Sequence, residues 1–496
     1  MVLNRRSLLW FPAVVRGLGQ PAQRYGTMVG DVSVGAALVW SRAESAGGLE
    51  VEWSTRESFE GARRVSGSTA GPDSGLTARA TLTGLPADQT IFYRARFGAG
   101  AASEGSFRTA PAGRRNVRFL WSGDMVGQGW GIRRDQPGIP IFDAMRRREP
   151  DFFIHSGDSI YADGPVPAEI KLPDGTVWQN VTTEAKSKVA ETLEEFRGAY
   201  LYNLQDAYVR AFNAAVPQVW QWDDHEVVNN WSPGKDLRDD DRYNVKDIRT
   251  LVGRARQAYL EYAPIRSPRR GQIYRKIPYG PLLDVFVVDM RTFRGANSFN
   301  RQTAASAATA FLGREQMRWL ERDLARSRAV WKVIAADMPI GLLVGDGKDA
   351  EGRPQLEAIA NGDGPALGRE LEIARLLASM KRNRVRNVVW LTADVHYTAA
   401  HHYHPDRAQF RDFDPFWEFV SGPLNAGTFG PGVPDDTFGI EVAYQKAPPK
   451  GQANLPPSAG MQFFGEVEID GRSRALTVTL RDWRGASLFR REIEAS

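Results

Sequence analysis

Four acidic clusters, each following an apolar run, are the residues best placed to do chemistry in this chain. Run 117–121 leads into Ser122-Gly123-Asp124, and run 152–155 into Ser156-Gly157-Asp158-Ser159-Ile160-Tyr161. Run 219–222 leads into Asp223-Asp224-His225-Glu226, and run 388–392 into Ala393-Asp394-Val395-His396. In α/β sheets ligands bind beyond the carboxyl ends of the strands, so the four clusters are expected to converge on one crevice. Asp124, Asp158, Asp224 and Asp394 would repel one another there unless protonated or neutralised by cations. Carboxylate and imidazole ligands, with the Tyr161 phenolate, suit hard or borderline metals such as Ca, Mn, Fe or Zn. Two such ions about 3.5–4 Å apart make a centre for in-line displacement at phosphorus. A single Asp after Gly is more often a turn or a helix N-cap, and only the fourfold match favours the metal reading.

The composition narrows the chemistry further. The chain has 496 residues, no cysteine and six histidines, namely His155, His225, His396, His401, His402 and His404. Without cysteine there are no disulfides, thiolate zinc sites, iron–sulfur clusters or cysteine nucleophiles. Imidazole chemistry is confined to the chain after residue 154. Hydrophobic residues at 42% and charged residues at 25% are ordinary globular values. The formal net charge of +5 is spread, with Lys and Arg interleaved among Asp and Glu, so no specific nucleic-acid partner is expected. No stretch reaches the roughly 18 apolar residues of a membrane-spanning helix. Asn4-Arg5-Arg6 followed by Ser7-Leu8-Leu9 resembles a twin-arginine export signal, with an apolar stretch cut short by Arg16.

Periodicity indicates what positions these residues. Residues 22–110 read as a small β-sandwich, with short runs at 36–40, 49–53, 78–82 and 91–97 separated by Gly, Ser, Pro and Asp turns. Leu82-Thr83-Gly84-Leu85-Pro86 and Tyr93-Arg94-Ala95-Arg96 resemble late strands of a fibronectin type III-like sandwich. Pro111-Ala112-Gly113 marks a linker. Residues 115–490 read as an α/β catalytic domain. Its strand candidates are the four runs above with 283–289 and 331–335, and its helix candidates are 141–148, 193–215, 245–262, 315–326 and 368–381. The tail returns to β at 461–469 and 475–481, around Asp470-Gly471.

Taken together, four segments resemble the signature motifs of the alkaline phosphatase D (PhoD-like) family of calcineurin-like metallophosphoesterases. They are Gly157-Asp158-Ser159-Ile160-Tyr161, Trp222-Asp223-Asp224-His225-Glu226 with Asn229-Asn230-Trp231, Asp289-Met290-Arg291 and Asp394-Val395-His396. The resemblance covers nearly the whole chain, Phe464-Gly465-Glu466-Val467 matching the closing strands. It implies a four-layer αββα sandwich behind the β module, and a monomeric enzyme, periplasmic or extracellular, acting on a phosphoester substrate. It also implies two or more metal ions. One would be held by Asp124, Asp158, Tyr161 and His396, the other by Asp158, Asp224 and Asp394, with Asp158 bridging and Asn229 near the second. A metal-bound hydroxide would attack a phosphomonoester, His225 would act as general acid or stabilise the departing oxygen, and Arg291 would clamp phosphate oxygens. Several family members carry Cys where this chain has Asp124, which weakens the implication of ferric iron and leaves Fe, Ca, Mn and Zn as candidates. The family also contains phosphodiesterases and phospholipase D-like enzymes, so hydrolysis of lipid or nucleotide diesters is the alternative. An inactive surface-binding protein is the reading from another class, and the intact set of Asp and His ligands argues against it.

Several residues have plainer readings. Tyr161 alone would be a packing residue, and Asp289-Met290-Arg291 reads equally well as a structural ion pair. His401, His402 and His404 are expected in an exposed loop, with a role at most at a substrate rim. Asp346-Gly347-Lys348-Asp349 is not a calcium loop, because Lys348 stands where an oxygen ligand is required. Trp121, Trp130, Trp222 and Trp231 are expected in the core.

Overall fold

The computed structural model of the protein describes residues 24–266 and 271–496, so the Asn4-Arg5-Arg6 segment lies outside the described residues. Two large sheets form the centre. In the nine-stranded sheet Val117–Ser122, Phe152–Ser156 and Gln218–Gln221 run parallel side by side. In the seven-stranded sheet Leu283–Val287, Trp331–Ala335, Val388–Thr392 and Phe416–Val420 do the same. Parallel strands are covered on both faces, which is why these segments read as unbroken apolar runs.

The two sheets pack face to face. Phe119, Trp121, Ile154 and Val219 from the first meet Val285, Val333, Leu391 and Phe419 from the second in one buried cluster. Helices Pro140–Arg146, Leu193–Asn203, Ala207–Ala215 and Ile248–Tyr262 cover the outer face of the first sheet. Helices Arg314–Arg326 and Glu370–Arg382 cover that of the second. Trp121, Trp130, Trp222 and Trp231 are all buried, as expected. Among the described residues no helix is long and apolar enough to cross a membrane.

Two expectations need correction. The helix expected over 193–215 is two helices, because Asp206 starts a new one, its Oδ1 accepting from the amides of Tyr208 at 2.9 Å and Val209 at 3.0 Å. Asp206 also accepts from the Ile139 amide at 2.9 Å, so it fixes the start of the earlier helix Pro140–Arg146 as well. The 3.6-residue period runs through this break without a Gly or Pro to mark it. The second correction concerns the late histidines. His401 and His402 lie in strand Thr398–Tyr403, paired with Phe416–Val420 and Ile440–Lys446. His401 is fully buried, its Nδ1 2.9 Å from Glu418 Oε2, and Tyr403 donates to the same oxygen at 2.8 Å. His402 packs on Trp417 with ring centroids 4.6 Å apart, and His404 Nδ1 accepts from the Asp406 amide at 3.1 Å. A buried carboxylate opposite the imidazole supplies the polar partner that makes such a strand tolerable in the interior.

The N-terminal β module does not stop at its own edge. Thr27–Gly30 pairs antiparallel with Ala36–Arg42, which pairs with Thr77–Thr83, and all three extend the nine-stranded sheet through a parallel contact between Gly30 and Gln218. Gly47–Ser54, Arg63–Ala70, Thr90–Phe97 and Ser103–Arg108 form a separate four-stranded sheet. It packs over these three strands around Val39, Val51, Leu82, Ile91 and Tyr93. The junction is pinned by buried polar groups. Asp31 receives the Arg275 guanidinium at 2.8 Å and the Arg266 amide at 2.8 Å, and the Trp40 indole donates to the Glu261 carbonyl at 2.7 Å. Asp31→Ala would remove the buried carboxylate that faces the partly buried Arg275, a class of change that costs up to about 3–5 kcal/mol. The expected result is a markedly lower thermal unfolding midpoint for the whole protein. An unchanged midpoint would mean that this pair does not fasten the module.

Candidate metal centre

The backbone places the site residues by an unusual device. Asp124, Asp158, Asp394 and His396 have φ values of 60°, 51°, 65° and 59°. A left-handed conformation costs an ordinary residue roughly 1–2 kcal/mol, and such strain concentrates at functional sites. Strands Val117–Ser122, Phe152–Ser156 and Val388–Thr392 thus each run into a sharp reversal. Close packing holds these turns, since a Cβ at Gly157 would collide with Asp223 and one at Gly422 with the Asp124 carboxylate.

The clusters from both sheets meet. Ligand atoms of Asp124, Asp158 and His396 lie within 4.8 Å of one another, as do those of Asp158, Asp224 and His225, and those of Asp223, Asp224 and Asp394. Asp158 and Asp224 each belong to two groups, so the groups are adjacent and share residues. Tyr161 Oη lies 2.9 Å from His396 Nε2, which is 3.9 Å from Asp124 Oδ1. His396 Nδ1 donates to the Gly427 carbonyl, which leaves Nε2, facing Tyr161 Oη, as the ligand atom. Both carboxylate oxygens of Asp124, Asp223 Oδ2 and Asp224 Oδ1 are buried with no hydrogen-bond partner among the described residues. Hard oxygen donors left open in this way fit divalent or trivalent cations.

Burial and repulsion determine the charges of the protein alone. Burial pushes the Asp124 carboxyl up to about 8, and it pushes Asp158 and Asp394 well above the usual carboxylate range with help from neighbouring acids. Burial also raises Tyr161, reinforced by the charges of Asp158 and Asp124. Asp224 is the exception. Burial opposes its ionisation, but His225, Arg291 and the Asn230 amide hold it below the ordinary value. Burial likewise opposes charge on His225, yet Asp163, Asp224 and Asp158 raise it well above free imidazole.

Arg291 is the expectation that the geometry does not support as written. It is fully buried and absent from the crevice wall, its Nε donating to Asp223 at 2.7 Å and Asp337 at 3.1 Å while Nη1 pairs with Glu357. Nη2 also lies 3.5 Å from Asp394 Oδ1. The guanidinium therefore sits beneath the acidic cluster as its internal counter-ion, consistent with the ion-pair reading and not with a phosphate clamp. Asn229 does line the crevice, and its backbone amide donates to Asp163 Oδ2 at 2.9 Å.

Three features of the site lie outside the sequence reading. Asp163, buried two residues beyond Tyr161, holds His225 Nδ1 at 2.7 Å, and its position close behind the Tyr161 motif was the only available signal. Glu226 ties two turns together, accepting from the Ser159 amide and hydroxyl at 2.7 Å each and from the Asp223 amide at 2.8 Å. The crevice itself is about 900 Å³, and Arg242, Tyr397 and Phe429 line it with the site residues. Nothing in the local sequence marks those three.

Known proteins resemble this chain over most of its length. Residues 119–480 match the family model of the PhoD-like phosphatase, and residues 12–111 match that of the PhoD-like phosphatase N-terminal domain. Alkaline phosphatase D of Bacillus subtilis (strain 168) is 26% identical over 484 residues, spanning 92% of this chain and 76% of that protein. A solved structure of PhoD superposes with a TM-score of 0.70 at 21% identity, covering 95% of this chain and 92% of that one. Purple acid phosphatase PPD1 of yellow lupin (Lupinus luteus) superposes with a TM-score of 0.54 at 13% identity, covering 95% and 74%. These likenesses at low identity show a shared fold. The family match defines the chain as a hydrolase acting on phosphoesters, and it belongs to the PhoD-like phosphatase family.

Proposed function

We propose that the crevice hydrolyses a phosphomonoester with two or more cations, one held by Asp124, Asp158, Tyr161 and His396 and another by Asp158, Asp224 and Asp394. The observation that carries this reading is the set of buried carboxylate oxygens on Asp124 and Asp224 that have no hydrogen-bond partner. Fe, Ca, Mn and Zn all accept such donors. When bound, the cations supply neutralisation of phosphoryl charge and a more acidic attacking water.

The chain's own groups do the rest. Burial opposes charge on the His225 imidazole, but Asp163, Asp224 and Asp158 raise it well above its ordinary range, which suits a proton donor. Asp163 takes the Nδ1 hydrogen and directs the ring, leaving Nε2 to protonate the departing oxygen. Asn229 and Arg242 lie on the crevice wall, where they meet the phosphoryl group or its substituent. Arg291 keeps Asp223 and Asp394 in place from below. One feature favours phosphodiesters as a second reading. The crevice of about 900 Å³ has an apolar side formed by Leu343, Val344, Tyr397 and Phe429, more room and apolar surface than a phosphoryl group needs. An exported location belongs to the same family reading, and fractionation of cells carrying the native N-terminus tests it.

Purified protein is expected to contain at least two metal ions by elemental analysis and to turn over p-nitrophenyl phosphate. Faster turnover of bis(p-nitrophenyl) phosphate would move the assignment to the diester reading, and no turnover of either after metal reconstitution would end both. Asp158→Ala should release the metals together, whereas full retained content would sink the bridging assignment. His225→Ala should lower kcat by about 10²–10⁴-fold. The loss should be larger for an alkyl phosphate than for p-nitrophenyl phosphate, since only the poor leaving group needs the proton. Equal losses on the two substrates would remove His225 from the leaving-group role.

A further inference from the structure

Away from the crevice, a second cavity of about 240 Å³ lies between residues 131–141, residues 457–462 and Trp483. It is separated from the metal centre by residues 423–425, where Leu424 and Asn425 donate backbone amides to the Asp124 carbonyl at 3.1 and 3.3 Å. Gln462 lines this cavity at 3% exposure, and neither its Oε1 nor its Nε2 has a hydrogen-bond partner. Leaving a buried polar group without a partner is costly. An amide left open at both ends therefore points to a ligand that donates and accepts side by side.

Other polar groups line the cavity beside an apolar side formed by Ile139, Ile141, Leu424 and Pro457. Asn425 and Gln136 bring two more primary amides, Ser458 brings a hydroxyl at the exposed mouth, and Trp178 and Trp483 bring indole rings that carry Arg133 and Arg484 over one face each. Asp and Glu are absent from the lining, and Arg133 at its rim is paired with Asp135. A phosphoester would thus find no free counter-ion here. We propose that this cavity binds one neutral sugar ring. Neighbouring hydroxyls offer donors and acceptors in the pattern that primary amides match. The C–H face of the ring packs on an indole, which is apolar on its face and polar only at its edge. The volume sets the size, since it falls just below the ~300–1,000 Å³ of drug-sized ligand sites and so takes a single ring.

Calorimetric titration of the full-length protein with methyl glucoside, methyl galactoside, N-acetylglucosamine and adenosine tests the proposal. At least one sugar should bind saturably, and Gln462→Leu should weaken it at least tenfold while metal content and unfolding midpoint stay unchanged. Trp483→Ala, at the half-exposed mouth, should weaken the same sugar and carries the test if the Gln462 variant fails to fold. A corresponding oligosaccharide bound more tightly than the methyl glycoside would identify a glycan as the source, and weaker or equal binding a free sugar; both support the site. No saturable sugar binding, full binding by folded Gln462→Leu, or preference for adenosine would overturn it.

Discussion

Holding several carboxylates together in a buried crevice is the constraint on which the rest of the structure depends. Asp124, Asp158, Asp224 and Asp394 lose hydration and repel one another, and all but Asp224, which His225 and Arg291 keep ionised, are driven toward the neutral form. The protein relieves this from below with Arg291, which meets Asp223, Asp337, Glu357 and Asp394 in a site closed to water. It leaves the other side open to cations, through oxygens of Asp124 and Asp224 that no protein donor satisfies. Removing either half would leave buried charge uncompensated.

Keeping charged groups this close requires a scaffold that cannot relax. Asp124, Asp158 and Asp224 follow strands of one sheet, and Asp394 and His396 follow a strand of the other, so the crevice exists only because the sheets pack with those ends together. Side chains stitch the two layers. The Trp121 indole donates to the Thr392 carbonyl at 3.2 Å, and the Trp222 indole donates to Asp289 Oδ1 at 3.0 Å. Against this frame the left-handed backbone at Asp124, Asp158, Asp394 and His396 is held in place, and the ligand atoms stay aimed at a common point.

The legible parts of the fold were those with one dominant physical cause. Strands such as Trp331–Ala335 and Val388–Thr392 match their apolar runs because parallel strands are buried on both faces. The strand Thr398–Tyr403 was hidden because its polar residues find partners from elsewhere in the chain, as His401 does in Glu418. The helix break at Asp206 was hidden because a capping aspartate looks like any other polar helix residue. At the site, residue types and the family motifs marked the residues that the fold gathers, but Asp163 and Arg242 acquire their positions only through turns far from the strands they serve.

By itself the sequence determined the donor set: oxygen and imidazole ligands without thiolates, at the ends of apolar strands, in an order belonging to one enzyme family. Those properties are local, because strand burial and ligand chemistry are written in residue type and spacing. Tertiary structure alone decided which way each charged side chain faces. It turned Arg291 inward as a counter-ion, set Asp163 behind His225, buried His401 in a sheet and continued the catalytic sheet into the N-terminal module. Each of these outcomes depends on partners tens to hundreds of residues away, whose distance no local pattern records.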